Sequence, residues 1–266
     1  MNEIFSFGSY YPGESPLHRL DPRTKLGGGL AFLLIALAAR DFAALGVIAV
    51  FVGMLYAVAR IPFGKAMRSL APLLAIVVIA SLLNLFTNHS GAVLVHWGIV
   101  EISEGSVRQC LFVACRLALM MMGMSLVTLT TMTLDLTEAF ERMLAPFARI
   151  GLPAHELGMI LGIALRFMPQ FATELSSVYR AQLSRGAALD SSPAKGVRML
   201  SSVTITLFAS VFRHADTLSA AMDEHCYRGG QGRTRLHPLH FAARDGAALG
   251  VLAAVLAGVI AANMLL

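Results

Sequence analysis

The chain has 266 residues, of which 56% are hydrophobic and only 14% are charged, and its formal net charge is +5. This balance is typical of a membrane protein built from one or two domains. A positive charge can indicate nucleic-acid binding. The cations are scattered along the chain without an aromatic platform, however, so the composition argues against a nucleic-acid partner.

Five apolar stretches have about the length of a membrane-spanning helix. They are Leu26–Ala39, Phe42–Ala59, Leu70–Phe86, Leu111–Met132 and Gly246–Leu266. A tight turn at Arg40 and Asp41 is expected between the first two, because one long helix would place both charges in hydrocarbon. Polar residues between 84 and 108 predict a loop before the fourth span.

The cations are distributed unevenly between the two sides of this arrangement. With the N-terminus in the cytoplasm, 18 of the 21 Lys and Arg residues fall inside, two fall outside, and Arg116 lies within the fourth span. The positive-inside rule therefore predicts a cytoplasmic N-terminus, a cytoplasmic segment 134–245 and an extracytoplasmic C-terminus. Arg116 could carry a function, pair with a neighbour or snorkel to the surface.

Between the fourth and fifth spans the pattern changes from apolar to amphipathic. Apolar residues recur at helical spacing from 136 to 150, and Gly151 and Pro153 then interrupt the helix. Two longer helices are expected over 154–188, with a kink at Pro169, and over 194–224. The fold prediction is an all-α integral membrane protein of about five spans. Its domains are residues 1–133, a cytoplasmic helical domain at 134–245, and a last span at 246–266.

The sequence contains no pattern typical of a disulfide framework, a metal site, a phosphate-binding loop or a catalytic site. Cys110, Cys115 and Cys226 have no CxxC spacing, which argues against a disulfide framework and a zinc site. The glycine-rich stretch 229–234 lacks the lysine of a phosphate-binding loop. No local pattern indicates a catalytic triad. We therefore expect no cofactor, metal site or catalytic residue, and ATP hydrolysis would have to come from another chain.

Seven stretches, in order and along nearly the whole chain, resemble the transmembrane T component of energy-coupling-factor (ECF) transporters, the EcfT/CbiQ family. They are Tyr11–Lys25, Leu134–Ala139, Gly151–Glu156, Ala164–Pro169, Ala181–Gly186, Ala221–Gly230 and Gly232–Arg235. The resemblance implies that two cytoplasmic helices each end in a small-Arg-Gly signature that docks in a groove of an ATPase subunit.

The first signature maps onto Ser184, Arg185 and Gly186. The second maps onto Glu224, His225 and Cys226, where His replaces the arginine and Cys the glycine. His cannot form the bidentate fork that Arg offers to a carboxylate. Three alternatives follow: His225 hydrogen-bonds in the groove, Arg228 substitutes for it one turn later, or this contact is weaker.

The function implied by the resemblance is energy coupling in the bacterial cytoplasmic membrane. The chain would link two ECF-type ATPases, identical or different, to a substrate-binding S component embedded beside it in the lipid bilayer. The transported substrate would be a vitamin or a transition metal such as cobalt or nickel. The alternative from another class is a self-sufficient channel or secondary carrier, for which paired polar residues at mid-membrane and repeated halves are expected but not found.

Overall fold

The computed structural model describes residues 11–87, 93–97, 100–151, 153–186, 193–229 and 241–265. Besides a short 3₁₀ helix, eight α-helices and one hairpin are found in this part of the chain. They are α1 (Pro22–Ala38), α2 (Phe42–Ala59), α3 (Phe63–Thr87), β1 (Val93–Trp97), β2 (Val100–Ser103), α4 (Glu104–Thr130), α5 (Thr133–Leu144), α6 (Ala154–Ser184), α7 (Pro193–Glu224) and α8 (Ala243–Leu265). The prediction of an all-α integral membrane protein is confirmed.

Three of the described helices are long and apolar enough to cross a membrane. They are α2, α4 and the part of α8 from Ala243 to Met264. Helix α1, with 17 residues, lies at the lower limit of spanning length. In α3 the apolar part is the shorter segment Leu74–Leu83. The number of five spans therefore stays a prediction.

The predicted loop between residues 84 and 108 is wrong in its extent. Helix α3 continues to Thr87, and strands β1 and β2 pair in antiparallel fashion. Helix α4 begins already at Glu104, because the Ser103 hydroxyl accepts a hydrogen bond from the Ser106 N–H at 3.2 Å and so caps the helix. Polar composition alone could not distinguish these elements from a loop.

The chain divides into two compact units. The first, here called the membrane unit, contains the described residues 11–139 and 241–265. Its core is formed by α1, α2, α4 and α8, around large buried side chains such as Ile48, Val52 and Val259. Apolar side chains also cover the outside, where Val50 is 74% exposed, as is expected for helices surrounded by lipid.

Helices α1 and α4 approach each other closely at Gly123. A Cβ atom at this position would lie 2.2 Å from Cε1 of Phe32, which is itself buried. Only glycine therefore permits the contact, as at other interfaces where small residues bring membrane helices together.

The turn between α1 and α2 lies where it was predicted, at residues 39–41. Two carbonyl groups at the end of α1 accept hydrogen bonds from side chains of other helices. Asn263 of α8 donates to the Ala38 carbonyl at 2.9 Å, and the Arg116 guanidinium donates to the Ala39 carbonyl. Arg116 thus stabilises the end of α1, and the three interpretations of its role stay predictions.

At the opposite end of α1, one buried carboxylate caps two helices. Asp245 is 2% exposed, and its Oδ1 accepts from the N–H of Asp21, the N-cap residue of α1, at 2.9 Å. Its Oδ2 accepts from the N–H of Ala242, directly before α8, at 2.9 Å. Nearby, the Lys25 ammonium donates to the carbonyls of His18 and Thr130. These polar contacts connect α1, α4 and α8 at one end of the membrane unit.

The second unit, here called the amphipathic unit, contains the described residues 140–229. Helix α5 ends at Leu144 and a 3₁₀ helix follows over Ala145–Ile150. The prediction of one continuous α-helix to residue 150 is therefore wrong over residues 145–150. The reason is that Pro146 disfavours the α conformation at Ala145. The predicted break at Gly151 is confirmed, with φ +91°.

Candidate functional site

The first predicted docking tip is the exposed end of α6. This helix runs through Pro169 and ends at Ser184, before the predicted residue 188, because Gly186 adopts a left-handed φ of +85°. The Arg185 N–H donates to the carbonyl of Ala181 at 3.2 Å, and the Gly186 N–H donates to that of Leu183 at 3.0 Å. Ser184, Arg185 and Gly186 are all exposed.

The second predicted tip, at the end of α7, has the same backbone arrangement. The His225 N–H donates to the carbonyl of Ala221 at 3.0 Å, and the Cys226 N–H donates to that of Asp223 at 2.9 Å. Each bond spans the same number of residues as its counterpart at the first tip. A further bond from the Tyr227 N–H to the Met222 carbonyl, at 2.9 Å, completes a Schellman motif.

This comparison relates the residues of the two tips one to one. His225 has the backbone position of Arg185, and Cys226 that of Gly186. Arg228 lies beyond the cap, although it is exposed like Glu224, His225 and Cys226. On backbone position alone, His225 rather than Arg228 is the counterpart of Arg185.

Cys226 has a left-handed φ of +54°, and it is one of two non-glycine residues with positive φ in the described part of the chain. Left-handed conformations cost a residue with a Cβ atom roughly 1–2 kcal/mol. The Schellman bonds around Cys226 hold this conformation in place. The strain is stored at a functional candidate, as is common for unfavourable backbone conformations.

We predict that Cys226→Gly stabilises the protein by about 0.5–1 kcal/mol, because glycine relieves this strain but increases the entropy of the unfolded chain. Thermal unfolding of the purified chain in detergent would measure the gain. The reciprocal change Gly186→Ala is the matched control. No atom of the described residues lies within 4 Å of a Cβ atom added at Gly186, so among them only the backbone conformation opposes the change. A lower melting temperature for Cys226→Gly would contradict the prediction.

Contacts behind the second tip tie it to α6, and the sequence patterns did not indicate them. The Tyr227 hydroxyl lies 2.8 Å from Sδ of Met159 and 3.5 Å from Nε2 of His155. The other ring nitrogen of His155 lies 3.1 Å from Oε1 of Glu141. These interactions orient the chain as it leaves α7, so that the exposed residues 224–226 are presented by a supported turn.

Helices α6 and α7 are also joined by a polar cluster along their length. The two oxygens of Glu174 lie 2.8 Å from Nε2 of His214 and 2.7 Å from the Ser210 hydroxyl. These hydrogen bonds hold the pKa of the Glu174 carboxyl below its ordinary value. Phe167 and Phe171 pack against the His214 ring. The cluster keeps the two tip-bearing helices in register with each other.

Arg185 gives the first tip a charged group that is suited to binding. An exposed guanidinium at a helix C-terminus offers five donors, and it suits a partner's carboxylate. Within the described residues, no group of three or more His, Cys, Asp or Glu side chains could hold a metal ion. Most of the glycine-rich stretch 229–234 lies outside the described residues.

Comparison with known proteins decides the family. The family model named CbiQ, described as cobalt transport protein, matches residues 13–236 of this chain. The chain belongs to the CbiQ family. This match covers both tips and most of the membrane unit, which confirms the resemblance found in the sequence.

Individual relatives of this chain carry the name energy-coupling factor transporter transmembrane protein EcfT. The relative from Thermosediminibacter oceani is 40% identical over 249 residues, which are 93% of each chain. The relative from Acidaminococcus fermentans is 38% identical over 90% of each chain. The Bacillus subtilis relative is 34% identical and covers 96% of this chain and 98% of its own length.

Proposed function

We propose that the chain is the energy-coupling transmembrane subunit of an ECF-type importer. It links two cytoplasmic ATPase subunits to a membrane-embedded, substrate-binding S component for the uptake of a vitamin or of a transition metal such as cobalt or nickel. The chain itself is not an enzyme, because ATP is hydrolysed by the partner ATPases. Family membership and the names of the relatives support this role.

The observation that supports the proposal best is the pair of matching helix ends. Arg185 and His225 follow long helices with the same backbone bonds, and each is exposed. Two ATPase subunits need two docking points of similar shape. We assign the first to Ser184, Arg185 and Gly186, and the second to residues 224–226 with Arg228 beside them.

The mechanism we propose is mechanical. Nucleotide binding draws the two ATPases together, and the docked tips move with them. Because α6 and α7 are held together by the Glu174 cluster, they would transmit this movement as a unit. A nucleotide can drive the change only if it binds the two conformations with different affinity, so the tips must stay docked in both.

This proposal places the chain in the bacterial cytoplasmic membrane. The N-terminus and residues 134–245 face the cytoplasm, where the ATPases are, and the C-terminus faces outward. The support comes from the excess of Lys and Arg on the inner side.

Reconstitution into proteoliposomes tests the function. We expect the purified chain alone to transport neither cobalt(II), nickel(II) nor vitamins. Addition of the two ATPases and the S component encoded with it should restore uptake that depends on ATP. Flux through the isolated chain would contradict the proposal and support the channel or carrier alternative.

A further inference from the structure

A cavity of about 360 Å³ lies in the membrane unit, independent of the tips and of the function proposed above. Four helices line it, each at one end: α1 and α8 near their first residues, and α2 and α4 near their last. The segment that leads into α1 closes part of the rim through Pro16, Leu17 and Leu20. Its volume is within the range of about 300–1,000 Å³ that is usual for small-molecule sites.

The lining combines an apolar interior with cations. Most lining side chains are aliphatic or aromatic, and the ionisable ones among the described residues are Lys25 and Arg244. The carboxylates of Asp21, Asp135 and Asp245 interact electrostatically with Lys25 but lie outside the lining, and those of Asp21 and Asp245 accept backbone N–H groups. The cavity therefore suits a molecule with a hydrocarbon chain and one anionic group.

Both cations can reach such a group. Lys25 is 9% exposed, and the described contacts of its ammonium, to the carbonyls of His18 and Thr130, use two of its three donors. Arg244 is exposed in the first turn of α8. Ends of membrane-spanning helices lie near the lipid headgroups, and basic pockets at this level bind anionic headgroups.

The cavity is also open toward the surface that lipid would cover. Met54 of α2 and Leu249 of α8 line it and are 56% and 50% exposed. We propose that the cavity binds an acyl chain of an anionic phospholipid, whose phosphate group lies at Arg244 and Lys25. Charge complementarity and the apolar interior select this occupant over a zwitterionic lipid.

Two neighbouring glycines provide a matched pair of variants. In the described part of the chain, no atom lies within 4 Å of a Cβ atom added at Gly27 or at Gly28, so both positions have room for a larger side chain. Gly28 lines the cavity and Gly27 does not. Gly28→Leu should fill the cavity, whereas Gly27→Leu adds the same side chain outside it.

Photolabelling of the full chain tests the proposal. The chain is placed in phosphatidylcholine vesicles that contain a phosphatidylglycerol with a photoactivatable group on its acyl chain. We expect label in peptides from the lining parts of α1 and α2, with most of it lost in Gly28→Leu and retained in Gly27→Leu. Arg244→Gln should lower labelling about fivefold, the equivalent of ~1 kcal/mol for one cation near a membrane surface.

A phosphatidylcholine probe with the same photoactivatable chain is the lipid control. It should label the lining more weakly and respond little to Arg244→Gln. Equal labelling by both lipids would overturn the choice of an anionic headgroup. Equal labelling of the unchanged chain and Gly28→Leu would show that the lipid does not occupy the cavity. Loss of the label on assembly with the S component would identify a partner segment as the occupant.

Discussion

Arg185→Glu is expected to abolish ATP-dependent uptake and to remove at least one ATPase subunit from the purified complex. Removal of one partner of a buried, hydrogen-bonded charge pair at an interface typically costs about 2–5 kcal/mol, a loss of affinity of about 30-fold or more, and charge reversal adds repulsion to this loss. The side chain is exposed at the end of α6. Its loss therefore leaves the described interior contacts of the chain intact, and insertion into the membrane should be unchanged. Co-purification with a tagged chain measures the ATPase that remains bound.

Two further variants separate docking from a general effect of charge. Arg185→Lys keeps the charge but removes the planar fork, so its effect should be intermediate. Arg213→Glu makes the same charge reversal at an exposed position in the middle of α7, away from both tips, and should leave assembly intact. If uptake and assembly both survive Arg185→Glu, the assignment of the first tip is wrong. Failure of Arg213→Glu as well would point to net charge instead.

The helices of this chain could be predicted where a single physical signal dominates. Uninterrupted apolar residues define α2, and its predicted bounds, Phe42–Ala59, are those of the structure. The turn at Arg40 and Asp41 follows from the cost of burying two charges in lipid. Gly151 and Pro153 mark the break before α6. In each case the deciding interaction is local or is with the solvent, so one segment of sequence contains it.

Other structural features depend on hydrogen bonds between residues far apart in the chain, and no local sequence pattern indicates these bonds. Asn263 satisfies a carbonyl at residue 38, and Asp245 caps an N–H at residue 21. The sequence shows Asp245 only as an acidic residue before an apolar stretch. The same holds for Tyr227, whose partner His155 lies on another helix. Such contacts become visible only when the helices are placed side by side.

The two tips could be predicted from the sequence only in part. Resemblance to the family predicts both of them, and Gly186 indicates a helix end by itself. Nothing in the sequence around Cys226 indicates a left-handed residue, since cysteine rarely adopts this conformation. Its match to Gly186 rests on backbone hydrogen bonds. The departure from the family signature thus changes side chains while the backbone cap of the tip is kept.

Asp245→Ala is expected to lower the free energy of unfolding of the membrane unit by about 3–5 kcal/mol. The carboxylate is 2% exposed and accepts two backbone N–H groups, at the N-termini of α1 and α8. Hydrogen bonds to a charged group contribute about 1.5–3 kcal/mol each, and their loss leaves the N–H of the buried Asp21 without this acceptor. Unfolding by a denaturing detergent in mixed micelles, followed by circular dichroism, measures the change.

A graded series makes this prediction specific to the two caps. Asp245→Asn keeps one acceptor oxygen but turns an NH₂ group toward the other backbone N–H, so it should lose about half of the stabilisation. Asp41→Ala is the matched control, because Asp41 is the N-cap residue of α2 and its side chain makes no capping bond. Its effect should stay within about 0.5 kcal/mol, as for surface positions without special contacts. Equal effects of Asp245→Ala and Asp41→Ala would mean that Asp245 does not join the two helices. In that case the rigidity of this end of the membrane unit would have to come from the carbonyl contacts of Lys25 and from the apolar core.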